Sequence, residues 1–276
     1  MRNKRIAILF ALSLLLVVSV AAQQPVAPPK YRFEEVLIPM RDGARLQTVI
    51  LAQVNQKEAL PILFHRTPYG VPERAFEQIP PEIQELFQDG YIFVVQNLRG
   101  RFKSEGVFQL SFAVNLHDPK ATNETTDAYD SIEWLVKNVS NNNGKVGMLG
   151  VSYSGLTTAI CLLHPHPALK AISEQASPAN EWMNDEEHHF GALRESYVLE
   201  YAVMEQADKN KNSHFQFEIY DTYQWYLDLG PLSNINAKYL HGSIPHWNST
   251  VEHPDYDEFW KQEAWVNQLQ PQQFRT

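Results

Sequence analysis

The stretch Lys145-Val-Gly-Met-Leu-Gly-Val-Ser-Tyr-Ser-Gly155 constrains the fold more than any other part of the chain. An apolar run stops at Gly150, a serine follows at 152, and the residues after Gly155 read as helix. Glycines on both sides of a hydroxyl residue mean that a strand turns into a helix within a few residues, the two packed closely. A serine at such a turn sits on strained backbone and is lifted above the carboxyl end of a sheet. Gly150-Val-Ser152-Tyr-Ser-Gly155 therefore reads as a nucleophile elbow with Ser152 at its apex. Ser154 is the rival, but its neighbours two places away, Ser152 and Leu156, suit a tight turn less well.

The rest of the chain supplies the sheet that such an elbow needs. Residues 33–39 and 45–53 are apolar, β-branched runs separated by Met40-Arg-Asp-Gly43, a hairpin signal. Residues 61–64 and 91–95 are short apolar runs of the kind found in strands covered on both faces. Between them, 80–88 reads as a helix. Residues 126–139 place Tyr129, Ile132, Leu135 and Val136 on one helical face, with Asn143-Gly144 as the stop. Further buried strands are expected at 146–151 and 169–173. Strands alternating with helices predict a mainly parallel α/β sheet with helices on both faces. From about residue 178 the texture changes: 194–208, 215–229 and 256–269 are helix-like and crowded with aromatic side chains. They read as a helical cap over the sheet, its rings either core or pocket lining.

With 276 residues, 44% of them hydrophobic, the chain is long enough for one large domain or one domain with an insertion. A formal net charge of −9 argues against nucleic acid or an anionic membrane as partner. Met1-Arg-Asn-Lys-Arg5, the apolar run 6–20 and Ala21-Ala22 have the layout of a signal peptide, and the run is short for a membrane span. An uncleaved anchor is the alternative. The expected organisation is a signal peptide at 1–22, a linker at 23–30, an α/β core at 31–177 and a cap at 178–276. The protein is expected to be secreted or periplasmic, with no stable membrane insertion after cleavage. Cys161 is the lone cysteine, so no intrachain disulfide forms, and its apolar surroundings suggest a buried thiol. His188-His189 follow an acidic stretch without zinc-site spacing, so neither metal nor cofactor is expected.

Several segments, in order, resemble the α/β-hydrolases grouped as X-Pro dipeptidyl-peptidases, bacterial cocaine esterases and α-amino-acid ester hydrolases. They are Ile38-Pro-Met-Arg-Asp-Gly-Ala-Arg-Leu46, Arg66-Thr-Pro-Tyr-Gly70, Gln96-Asn-Leu-Arg-Gly-Arg-Phe-Lys-Ser-Glu-Gly-Val-Phe108, Tyr129-Asp-Ser-Ile-Glu-Trp-Leu135, the elbow segment from Asn143 to Gly155, and the stretch from His166 to Trp182. The group commonly carries an acid where Asn97 stands here. The resemblance implies an α/β-hydrolase sheet interrupted by a helical cap, and an acyl-enzyme mechanism on Ser152 acting on a small-molecule ester, an amide or a short peptide, with α-amino acyl substrates and X-Pro peptides as the two candidate preferences. It also implies an oxyanion hole made by the Tyr153 backbone N–H and the Tyr69 phenol. The physics agrees, since an N–H just past the elbow and a neutral hydroxyl both donate to a developing oxyanion. A packed turn tyrosine after Pro68 is the alternative for Tyr69. The acidic stretch from Glu181 to Gly191 resembles a part of α-amino-acid ester hydrolases that binds a substrate ammonium. Glu186 is the first match there and Asp185 the second; solvated charges capping a helix are the alternative.

The group places its catalytic Asp and His beyond the cap. Here both are expected beyond Thr276, so the chain reads as truncated at its C-terminus and inactive by itself. His164 and His166 read as turn residues. His241, His246 and His253, the last near Asp255, are not nominated as the base. A non-catalytic hydrolase-fold protein that binds ligands under the cap is the competing reading.

Overall fold

The computed structural model describes residues 31–75, 84–110, 120–183 and 186–269. The expected signal segment and linker, Asp185 and the first part of the helix expected at 80–88 lie outside the described residues.

Strands β1 (Tyr31–Pro39) and β2 (Arg45–Gln53) form the expected antiparallel hairpin. Its turn is closed by Met40 N–H to Ala44 O and Gly43 N–H to Met40 O, with Gly43 at φ +88°. The chain then enters β3 (Leu60–Thr67), helix α1 (Gln84–Asp89) and β4 (Ile92–Asn97). Helix α2 (Glu124–Asn138), β5 (Asn142–Val151), helix α3 (Tyr153–Ala159) and β6 (Leu169–Gln175) follow. The sheet order is β1-β2-β4-β3-β5-β6. β2 meets β4 antiparallel, and β4, β3, β5 and β6 are mutually parallel.

Alternation along the strands explains the two layers of helix. Ile50, Ile62, Phe64, Ile92, Val94 and Met148 face α2, where Ala128, Ile132 and Leu135 complete the main core. Val49, Leu51 and Phe93 point to the opposite face, where Phe93 stacks on Phe87 of α1 with ring centroids 4.2 Å apart. Asn123 starts α2 with a reciprocal cap: its side chain accepts from Thr126 N–H, and Thr126 Oγ1 accepts from Asn123 N–H. A buried polar seam ties this helix to the sheet. Arg66 pairs with Glu124 at 2.9 Å and donates to Gln96 Oε1, whose amide reaches Thr48 and Ser131. Asn97 is fully buried and donates to Gln47 Oε1.

Four expectations need correcting. β6 is mostly exposed rather than buried, because it lies at the edge of the described sheet with a strand partner on one side only. Asn143-Gly144 belongs to the start of β5 instead of ending the helix, which stops at Asn138. The helix expected over 215–229 begins only at Thr222, as α5 (Thr222–Leu229), because the Asp221 side chain caps Gln224 N–H. Phe215 and Phe217 pack edge-on against Trp225 in the irregular segment before it. The helix expected over 256–269 is broken at Ala264, whose ψ of 79° separates α7 (Glu258–Glu263) from a short 3-10 turn, Trp265–Gln268.

The cap is entered through a two-stranded hairpin, β7 (His188–His189) and β8 (Ala192–Leu193), absent from the sequence expectation. Helix α4 (Glu195–Gln206) then buries Val198, Leu199, Ala202 and Val203 against Leu98, Leu110 and Tyr153 at the top of the sheet. Each large aliphatic side chain removed from water there contributes about 1.5–3 kcal/mol. Helix α6 (Pro245–Glu252), also unforeseen, starts with Pro245 in its first turn and seats the fully buried Trp247 in the same cluster. Among the described residues no helix is long and apolar enough to cross a membrane.

Candidate active site

Ser152 sits between β5 and α3 with φ 59° and ψ −127°. For a non-glycine residue this backbone is strained by roughly 1–3 kcal/mol, so neighbouring contacts must hold it. Ser152 N–H donates to Gln175 O at the end of β6, and Leu156 N–H donates to Ser152 O, both at 2.9 Å. The flanking glycines are required by space. A Cβ on Gly150 would lie 2.1 Å from Ser154 O, and one on Gly155 would lie 2.5 Å from Ser177 Oγ and 2.8 Å from Gln175 O. Ser154 is buried inside the first turn of α3, where its carbonyl accepts from the Thr157 and Thr158 hydroxyls. The elbow therefore has one apex, Ser152.

The structure brings Tyr69 to that apex. Its hydroxyl lies close enough to the Ser152 side chain to be influenced by it, and 2.9 Å from the Tyr201 hydroxyl of α4. Burial raises the Tyr69 pKa; the Tyr201 and Ser152 hydroxyls oppose the rise, while the Glu205 and Glu186 carboxylates add to it. The phenol is thus a neutral donor at ordinary pH. Tyr153 begins α3, so its N–H belongs to the first turn, whose amides have no acceptor within the helix. Its own ring is buried, with the hydroxyl donating to Leu110 O.

Ser152 opens into a cleft of about 700 Å³, part of it open to solvent, beneath the cap. Tyr197 and Tyr201 form one wall and Leu156 and Ile160 another, while Glu181, Glu186, Glu187, Glu263 and His246 bring charge or polarity. Glu186 lies near the Tyr197 hydroxyl and 3.8 Å from Arg194 Nη1. Burial first, and then Glu186, keep the Tyr197 phenol protonated. Asp185 lies outside the described residues.

Sequence reasoning missed Tyr197 and Tyr201 as individuals. Their four-residue spacing in an aromatic-rich helix was the available signal, and their rings do stack at 5.9 Å. It also missed the buried pair of Glu187 and His246, joined through His246 Nε2, with Thr250 Oγ1 donating to Glu187. The segments are 59 positions apart in the chain (246 − 187), so no local pattern announces them. His253 pairs with Asp257 at 2.6 Å rather than with Asp255, since four residues bridge the start of α7. His166 pairs with Glu133, and His188 is wedged between Trp182 and Trp260. Burial pushes the Cys161 thiol up to about 12, which suits an inert core residue. Among the described residues there is no group of three or more His, Cys, Asp or Glu side chains arranged to hold a metal.

A strained serine elbow facing a capped cleft is shared by many hydrolases, and the chain as a whole decides which. The family model of the X-Pro dipeptidyl-peptidase (S15 family) matches residues 42–276. The chain belongs to the S15 family. Its fold is that of the α/β-hydrolases. Among relatives of this S15 chain, the cocaine esterase of Rhodococcus sp. (strain MB1 Bresler) is 29% identical over 240 residues, covering 82% of this chain and 39% of the esterase. Of solved structures, an aminopeptidase from the marine sediment archaeon Thaumarchaeota archaeon superposes with a TM-score of 0.80 at 35% identity, covering 90% of this chain and 42% of that one. An α-amino-acid ester hydrolase superposes equally well, with a TM-score of 0.80 at 32% identity and coverages of 91% and 42%. The chain thus spans about two fifths of the length of these relatives.

Proposed function

We propose that this chain carries the nucleophile and oxyanion hole of a serine hydrolase that cleaves ester or amide bonds through an acyl-enzyme on Ser152. The observation that carries the reading is the Tyr69 hydroxyl, held by Tyr201, set beside a serine on strained elbow backbone. Attack by Ser152 Oγ on an acyl carbon would place negative charge on the carbonyl oxygen. The Tyr153 N–H and the Tyr69 hydroxyl are the donors proposed for it; both are fixed before reaction, so little reorganisation is needed. Tyr201, at the second position of the hydroxyl chain, orients Tyr69. The test is turnover of a chromogenic ester by the protein expressed from its whole reading frame. Ser152→Ala should abolish the initial burst of product, and Ser154→Ala should leave most of it. A burst that survives Ser152→Ala and disappears with Ser154→Ala would reassign the nucleophile.

The serine also needs a base. We infer that an Asp and a His outside these 276 residues complete the triad, and that this chain alone turns over little substrate. The length of the relatives supports this reading. Export through residues 1–22 is part of the same proposal, based on the charged, then apolar, then small-residue order of that segment.

For the substrate we propose an acyl group bearing an α-ammonium. Glu181, Glu186 and Glu187 line the cleft that holds Ser152, and an ammonium near Glu186 would form a charge-assisted pair that orients the acyl carbon. The names of two similar structures, an aminopeptidase and an α-amino-acid ester hydrolase, are in keeping with such a group. Comparing kcat/KM for an α-amino ester and its des-amino analogue tests it. The amine should be preferred, and Glu186→Gln should erase roughly 1.5–3 kcal/mol of that preference. Equal rates on both esters in the unmutated protein would remove Glu186 from recognition.

A further inference from the structure

Arg101 is fully buried, yet it lies outside the cleft and does not contact Ser152. Its donors go almost entirely to carbonyls. Nε donates to Pro68 O at 2.9 Å, Nη1 to Glu205 O and to Asp208 O at 2.8 Å, and Nη2 to Asn212 Oδ1 at 2.8 Å, with Lys211 O further off at 3.4 Å. Asn212 passes the contact on, its Nδ2 donating to Tyr69 O at 3.1 Å. Two consecutive carbonyls on the Tyr69 loop are therefore held by one guanidinium. The neighbouring residue reinforces the grip. Phe102 N–H donates to Lys209 O at 2.8 Å, and its ring lies against Gly70, 3.2 Å from where a Cβ there would stand. The same side chain also gathers the end of α4, the helix that carries Tyr201.

We propose that Arg101 is a positioning residue that sets the Tyr69 hydroxyl against Ser152 by fixing the Pro68 carbonyl directly and the Tyr69 carbonyl through Asn212. The proposal rests on the reading of Tyr69 as an oxyanion donor. Its charge is balanced by Glu205, whose Oε2 lies 3.4 Å from Nε while neither carboxylate oxygen receives a hydrogen bond. Glu205 supplies counter-charge where it is ionised, and the carbonyls supply the geometry. A lysine keeps the charge but has no planar fork, so it cannot hold the Pro68 carbonyl, the Asn212 side chain and the end of α4 together. Both ends of the Tyr69–Tyr201 hydroxyl pair would then drift, and misplacement of an oxyanion donor by about an ångström lowers turnover more than binding.

The experiment compares Arg101→Lys with the unmutated protein, expressed from its whole reading frame, by amide hydrogen exchange and ester kinetics. Exchange should quicken in peptides spanning residues 66–71 and 207–213 and stay unchanged in the strands. kcat should fall about tenfold to a hundredfold with KM nearly constant, a range expected for misplacing a donor by about an ångström. In a Tyr69→Phe background, Arg101→Lys should change kcat less than about twofold, because the group it positions is already gone. Unchanged exchange over 66–71 would overturn the clamp itself. Losses that multiply with Tyr69→Phe would overturn positioning through Tyr69. Should Tyr69→Phe alone leave kcat intact, the oxyanion reading falls, while the exchange data still decide the clamp. If Arg101→Lys does not fold, Asn212→Ala, on a partly exposed side chain, removes the link to Tyr69 O and should give the same two signatures.

Discussion

The Tyr69 hydroxyl, on the loop after β3, lies 2.9 Å from the Tyr201 hydroxyl on cap helix α4. One end of this pair lies beside Ser152 and the other belongs to the cap, so the cap helix and the loop next to the serine are joined through one hydroxyl pair. An isolated phenol in that position could rotate away; one held by a second phenol has its donor direction set before substrate arrives.

Tyr69→Phe should therefore lower kcat by about a hundredfold or more and leave KM nearly unchanged, since the lost donor acts mainly on the transition state. Steady-state kinetics on a single ester, with the protein expressed from its whole reading frame, measures this. A rise in KM alone would make Tyr69 a substrate-binding residue.

The elbow glycines should differ sharply from a turn glycine. Gly150→Ala forces a Cβ to within 2.1 Å of a backbone oxygen and should destabilise the fold by at least about 2 kcal/mol. Gly144→Ala meets nothing within 4 Å, and only its φ of +74° opposes the change, so about 1 kcal/mol is expected. Urea unfolding of both variants measures the difference, and equal losses would mean that the elbow relaxes around a methyl group.

Burial raises the Glu205 carboxyl from an ordinary 4.5 to about 7, with Arg101 only partly opposing the rise. Arg101 is itself pulled down by burial despite the pairing, so the two charges do not fully repay each other's desolvation. The sign follows from proton binding: the folded state holds this proton more tightly than the unfolded chain. The associated stability is fully present below about 4.5 and is lost as pH rises to about 7. Glu205→Gln should flatten that stretch of the stability–pH curve, by up to roughly 3 kcal/mol. Identical slopes in the two proteins between pH 5 and 8 would contradict the shift.

Much of the sheet was legible because its signals are local. The Asp42-Gly43 turn fixed the first hairpin, and the short apolar runs at 61–64, 91–95 and 146–151 carried enough continuous hydrophobicity to be strands. Ser152 was legible for the same reason, since Gly150 and Gly155 flank it in sequence as well as in space. The cap was legible only as helix-rich. Aromatic density marks burial without marking where a helix starts, so the caps at Asp221 and Asp257 and the break at Ala264 went unread. Pairings across long separations were invisible. Nothing near Tyr69 in the chain announces Tyr201, and nothing near Arg101 announces that its donors end on Pro68 and Asn212.

The central claim is that Ser152 accepts the acyl group. Treating the protein expressed from its whole reading frame with a fluorophosphonate, then locating the adduct by peptide mass spectrometry, tests it most directly. The account predicts one adduct, on Ser152, absent from Ser152→Ala and retained in Ser154→Ala. An adduct on Ser154, or stoichiometric labelling that persists in Ser152→Ala, would contradict it.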